Sequence, residues 1–94
     1  MKIEVGQRFD FEVDREDVMA VDKGPIIATW YHLGNPIYVE LSMTKSLAEE
    51  IRAHFYNTRS RTALLSIARI SKTKYVVSPT VVLINRKTKD LKIK

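Results

Sequence analysis

Few side chains in this sequence could do acid–base or metal chemistry: His32 and His54 are the only histidines, and there is no cysteine. Disulfides, thiolate metal sites and a cysteine nucleophile are therefore excluded. Neither histidine has carboxylates at metal-ligand spacing. His54 falls one position off an apolar helical stripe, and His32 ends a predicted strand beside a turn, so both read as structural or boundary residues. The acidic pairs Glu16-Asp17 and Glu49-Glu50 are adjacent in sequence. Such neighbours point to opposite faces of a strand or diverge by about 100° on a helix, so neither pair can share a site unaided. No HExxH, GxSxG or P-loop pattern occurs, and each of the three glycines falls at a turn. These residues point to a binding protein that is not an enzyme and carries no cofactor or metal.

One constellation does carry a mechanism: cations interleaved with aromatic rings. Single-stranded nucleic acid is held by cations along its phosphates and flat rings beneath its bases, each stacked base contributing roughly 1–3 kcal/mol. The candidate cations are Arg52 on a helix, Arg59 and Arg61 in a connector, Lys72 and Lys74 in a hairpin turn, and Arg86, Lys87, Lys89, Lys92 and Lys94 in the tail. The candidate rings are Trp30, Tyr31, Tyr38, Tyr56 and Tyr75. Trp30 and Tyr31 are neighbours on a strand, so one faces the core and the other faces out. Tyr38 opposes Ile37, Val39 and Leu41, so it too faces out. If their two strands pair, two outward rings share a surface.

Charge is distributed unevenly. The net +5 divides into an acidic start, residues 1–22 with three basic against seven acidic side chains (net −4), and a basic second half. Residues 45–94 carry twelve Lys or Arg against Glu49, Glu50 and Asp90 (net +9). Such asymmetry suits either a polyanion-facing side or mutual neutralisation of the two halves.

The elements that must position these residues follow from periodicity. Phe9, Phe11 and Val13 alternate with Arg8, Asp10, Glu12 and Asp14, the signature of a half-buried strand. Val18 to Val21 extends it after a bulge or bend at Arg15-Glu16-Asp17. Asp22-Lys23-Gly24-Pro25 and Gly34-Asn35-Pro36 are turns around a strand at 26–33, and 37–42 is the third strand of a meander. Ser46 and Glu49 match a capping box, with Leu47, Ala48, Ile51 and Phe55 at helical spacing, predicting a helix over 46–56. Strands follow at 62–70 and 75–84, joined by Ser71 to Lys74, with an edge or bulge expected at Pro79.

Three strands, one helix and two strands resemble the OB-fold, a five-stranded Greek-key barrel. The resemblance rests on element order over about residues 5–85. It implies that oligonucleotides lie across the second and third strands, with Asp22–Pro25 and Ser71–Lys74 at the rim. An SH3-like barrel, or a curved antiparallel sheet packed on one helix, fits the same pattern. The expected organisation is one mainly β barrel over 1–85 and a basic tail at 86–94, either free or returning as a short sixth, edge strand through Leu91 and Ile93.

With 94 residues and 45% apolar content, there is enough for one modest core, which homodimerisation through the apolar last strand would enlarge. No apolar run approaches the ~18 residues that span a bilayer. The N-terminal Met-Lys-Ile-Glu-Val-Gly has no apolar signal region, and a cytoplasmic protein with no membrane contact is expected. The two functional readings are nucleic-acid binding through the cations and rings above, and a small protein-interaction module, a regulator or inhibitor of a larger protein, acting through the acidic first strand.

Overall fold

The alternation in the first strand is realised: Phe11 and Val13 are buried while Arg8 and Asp10 are exposed. The computed structural model describes residues 1–20, 25–56 and 59–94. Its elements in chain order are β1 (Arg8–Asp14), α1 (Arg15–Ala20), β2 (Ile26–His32), β3 (Asn35–Met43), α2 (Lys45–Phe55), β4 (Thr62–Arg69), β5 (Lys74–Ser78), β6 (Ile84–Lys87), one 3-10 turn (Thr88–Asp90) and β7 (Leu91–Ile93).

The strands form one antiparallel sheet in the order β6-β5-β4-β1-β2-β3-β7. β1 is central, paired along its whole length with β4 from Arg8↔Ala68 to Asp14↔Thr62. β6 and β7 are the two outermost strands, yet only Thr88–Asp90 separate them in the chain. The sheet therefore has to curl until its edges approach one another. The product is a mainly β half-barrel packed on α2. It has seven strands where the OB-like pattern needs five, and the predicted sixth strand in the tail is β7.

The inner face supplies the core. Phe11, Val13, Ala28, Val39, Leu41, Leu65, Ile67 and Val77 from the sheet meet Leu47, Ile51 and Phe55 of α2. Burying a side chain of this size stabilises the fold by roughly 1.5–3 kcal/mol relative to leaving it exposed. Arg15 ties the far end of α2 to α1, its Nε donating to the Phe55 carbonyl (3.3 Å) and its Nη2 to that of Tyr56 (3.1 Å). These are carbonyls that the helix itself leaves without partners.

Four expectations are corrected. Residues 15–20 are helical rather than an extension of the strand, because Asp14 caps them: its Oδ1 accepts from the Glu16 amide at 2.9 Å. Glu16 and Asp17 then fall in the first turn, where negative charge is favoured. The cap of α2 is Thr44, whose Oγ1 accepts from the Leu47 amide, and not Ser46, whose Oγ accepts from Arg86. The stretch 75–84 is not one strand: β5 ends at Ser78, immediately before Pro79, which has no N–H to donate. Beyond it Val81 and Leu83 are 97% and 67% exposed. The β2–β3 turn is Leu33-Gly34, both at positive φ, with Asn35 and Pro36 already in β3. α2 ends at Phe55 with Tyr56 as its C-cap, just short of the expected end near Asn57, while residues 22–24 of the expected Asp22–Pro25 turn lie outside the described residues.

The two candidate caps are separable. Thr44→Ala is expected to lower the unfolding free energy by about 1 kcal/mol, and Ser46→Ala by less than half of that, measured by urea denaturation. No loss from Thr44→Ala would remove Thr44 as the cap.

Candidate functional site

On the outer face of the sheet, side chains from four strands line up through cross-strand pairing. Glu12 of β1 stands opposite Leu64 of β4 on one side and Thr29 of β2 on the other, and Thr29 in turn opposes Tyr38 of β3. Leu64 is 62% exposed and Tyr38 69% exposed. Ile27, opposite Glu40, and Tyr31, opposite Pro36, flank this row and are also exposed. The expectation that an outward ring from each of the second and third strands shares one surface is met by Tyr31 and Tyr38.

The electrostatics of that surface differ from what a phosphate chain needs. The carboxylates of Asp10, Glu12 and Asp14 run down its centre on one face of β1. Asp10 is partly satisfied, accepting from Ser66 Oγ and lying 3.6 Å from Arg8 Nη2. Asp14 is occupied as the cap of α1. Glu12 is half-buried and, among the described residues, has neither a hydrogen-bond partner nor an ion pair for its side chain. A half-buried carboxylate without a partner gains most from a cation brought to it.

The remaining candidate rings are elsewhere. Trp30 faces the core side, its ring edge-on to Phe9 at a centroid distance of 4.7 Å and tilted against His32 at 5.0 Å. Tyr75 is not a surface platform: it is buried, sharing the inward face with Val77, and the Arg69 guanidinium lies 6.0 Å from its ring. Tyr56 is exposed just past α2, beyond the helix end that Arg15 caps.

Most of the cations lie away from the outward rings. Arg86 is a structural residue. Its guanidinium reaches Ser46 Oγ (3.0 Å), Glu50 Oε2 (2.9 Å) and, less closely, Asp90 Oδ2 (3.9 Å), with only 17% of the side chain accessible. Arg52 is half-buried on α2 and has an interaction of its own. Arg59 and Arg61 are exposed before β4. Lys72, Lys74, Lys87 and Lys89 are exposed at the hairpin and around β6. Lys94 continues the β7 ladder opposite Glu40 through a pair of backbone hydrogen bonds, with Lys92 opposite Ser42. Three strand spacings, about 14 Å along the sheet, separate β5 from β2. Lys92 and Lys94 thus lie on the outer face next to the strand of Tyr38, whereas the cations around β5 and β6 lie apart from the outward rings.

Parity could have found two of the features missed above. Tyr75 shares a face with Val77, and Glu12 shares one with Asp10 and Asp14. The pairing of Glu12 with Leu64 needs the long-range register and has no local signal. Among the described residues no three His, Asp or Glu converge as metal ligands, and no helix is long and apolar enough to cross a membrane. Protein-family models, curated proteins and solved structures provide no match to this chain.

The structural role of Arg86 is open to direct test. Arg86→Met is expected to lower stability by about 1–3 kcal/mol by removing charge-assisted hydrogen bonds. Lys87→Met, one residue along and exposed, should stay within about 0.5 kcal/mol of wild type. Equal tolerance of both substitutions would show that the Arg86 contacts contribute nothing.

Proposed function

We propose that this protein is a small interaction module that binds a partner protein through the outer face of β1, β2, β3 and β4. The carrying observation is the half-buried, unpartnered carboxylate of Glu12, with the exposed Leu64 opposite it on β4 and the exposed Tyr38 one strand further on, beyond Thr29. Apolar side chains grouped on one face are unlike the scattered single exposures of ordinary surfaces, and they favour a protein partner. Tyrosine and a desolvated charge pair at the centre of a patch are the features on which interface energy concentrates. The partner chemistry is complementary: an Arg or Lys presented among apolar side chains, with the cation directed to Glu12.

The β2–β3 hairpin supports the same face. Leu33 is 89% exposed and sits at φ 52°, a conformation that disfavours residues with a Cβ. A two-residue turn with positive φ at both positions favours Asn-Gly. An exposed leucine there stabilises nothing within the chain and extends the apolar rim beside Tyr31 and Pro36. Nucleic acid is a poorer occupant, because Tyr31 and Tyr38 lie beside a column of carboxylates that repels phosphates.

A photo-cross-linking residue at position 38, expressed in the native host, is expected to trap one discrete protein. The adduct should be lost when Glu12→Lys and Leu64→Asp are added. Leu33→Asn should raise stability by about 1 kcal/mol through relief of backbone strain, while weakening the trapped complex. Background-level cross-linking at 38, or equal trapping from position 87, would overturn the reading.

A further inference from the structure

The tripeptide Lys-Thr-Lys occurs twice, at residues 72–74 and 87–89. The fold docks one copy on the other: the Thr88 amide donates to the Thr73 carbonyl at 2.8 Å, and Lys74 stands directly opposite Lys87 in the β5–β6 ladder. Four exposed lysines thus flank a single backbone hydrogen bond. Among the described residues none of the four is in an ion pair. Like charges directly opposite on neighbouring strands repel one another, and no ion pair among the described residues offsets that repulsion.

The support beneath the lysines is rigid. Arg69 spends its guanidinium on the turn that carries Lys72, donating to the carbonyls of Ser71 (3.2 Å), Lys72 (3.1 Å) and Ile3 (3.1 Å). A shallow depression lined by Ile70, Lys74, Asn85, Arg86 and Lys87 lies on one side of the C-terminal segment. A second, lined by Ser42, Met43, Thr44, Lys89, Asp90 and Lys92, lies on the other. The backbone that carries the lysines is therefore fixed before any ligand arrives, with their side chains exposed.

We propose that the paired Lys-Thr-Lys segments form a sequence-independent site for the phosphodiester backbone of nucleic acid, separate from the β1 face. Lysine serves as a point charge for phosphate, and threonine hydroxyls are ordinary phosphate donors. The site carries no aromatic ring, so it binds backbone and leaves bases unread. An anionic membrane fits less well. The exposed apolar segment around Val81 and Leu83 follows the Ser78 end of β5, whereas the lysines cluster at its Lys74 end, so no apolar anchor of that kind accompanies the charge.

The test uses the full chain and a fluorescein-labelled 20-nucleotide oligo(dT), titrated by anisotropy at several salt concentrations. Four phosphate contacts on a single strand predict a slope of log K against log salt near −2.8, or about a fifty-fold loss of affinity between 50 and 200 mM salt. Lys74→Gln with Lys87→Gln should reduce the slope by about 1.4. Arg59→Gln with Arg61→Gln, a cationic pair outside the cluster, should leave the slope unchanged. Melting temperatures of both variants no lower than that of the wild type exclude misfolding as the cause, the Lys74/Lys87 variant gaining slightly from the lost repulsion. The proposal is overturned by no binding at low salt, or by equal losses from the two double variants. It is equally overturned by binding to phosphatidylserine vesicles in preference to oligo(dT), or by quenching of Trp30 emission on binding, which would restore base stacking.

Discussion

Three residues hold the architecture to its shape. Thr88–Asp90 connect the two outermost strands of a seven-stranded sheet, and they are clasped at both ends. The Thr88 amide donates to Thr73 in the β4–β5 hairpin, while the Asp90 carbonyl accepts from Thr44 at the junction of β3 and α2. A link this short between opposite edges is compatible only with a strongly curled sheet. The curl creates the inner face that α2 fills, and Thr44, held by that clasp, is also the residue that caps α2.

The same constraint sorts the charges. β1, which carries Asp10, Glu12 and Asp14 outward, is the middle strand of the sheet, and the lysine-rich C-terminal segment forms its edges. Curling places the edges on the side away from the middle strand. The acidic first quarter and the basic second half of the chain are thereby held apart instead of neutralising each other across a sheet. Among the described residues the ion pairs join groups within one half of the chain, such as Arg8 with Asp10 and Arg86 with Glu50. The outcome is two surfaces of opposite sign on one small domain, the acidic one with the larger group of apolar neighbours.

Much of the fold was legible in the sequence because it rests on local period. The alternation through Phe9, Phe11 and Val13, the helical spacing of Leu47, Ile51 and Phe55, and the hairpin at Ser71–Lys74 all survive into the structure. Failures came where a side chain outvoted the pattern. Asp14 turns a strand into a helix with one hydrogen bond, and Val18, read as strand, becomes the buried residue of α1. Pro79 ends a run of β-branched residues that hydropathy alone would have kept as one strand. The site was less legible than the fold. That Tyr31 and Tyr38 share a face follows from parity, but that they share it with Glu12 and Leu64, and at its β7 edge with Lys92 and Lys94, depends on which strands pair. Two Lys-Thr-Lys tripeptides fifteen residues apart mean little until a register brings them together.

The clasp is measurable by amide hydrogen exchange followed by NMR. The Thr88 and Thr44 amides should exchange within about tenfold of the amides that pair β1 with β4, since opening either requires uncurling the sheet. Exchange of both at free-chain rates, with β1 and β4 still protected, would mean that the edges are not held together, and the separation of the two charged surfaces would lose its basis.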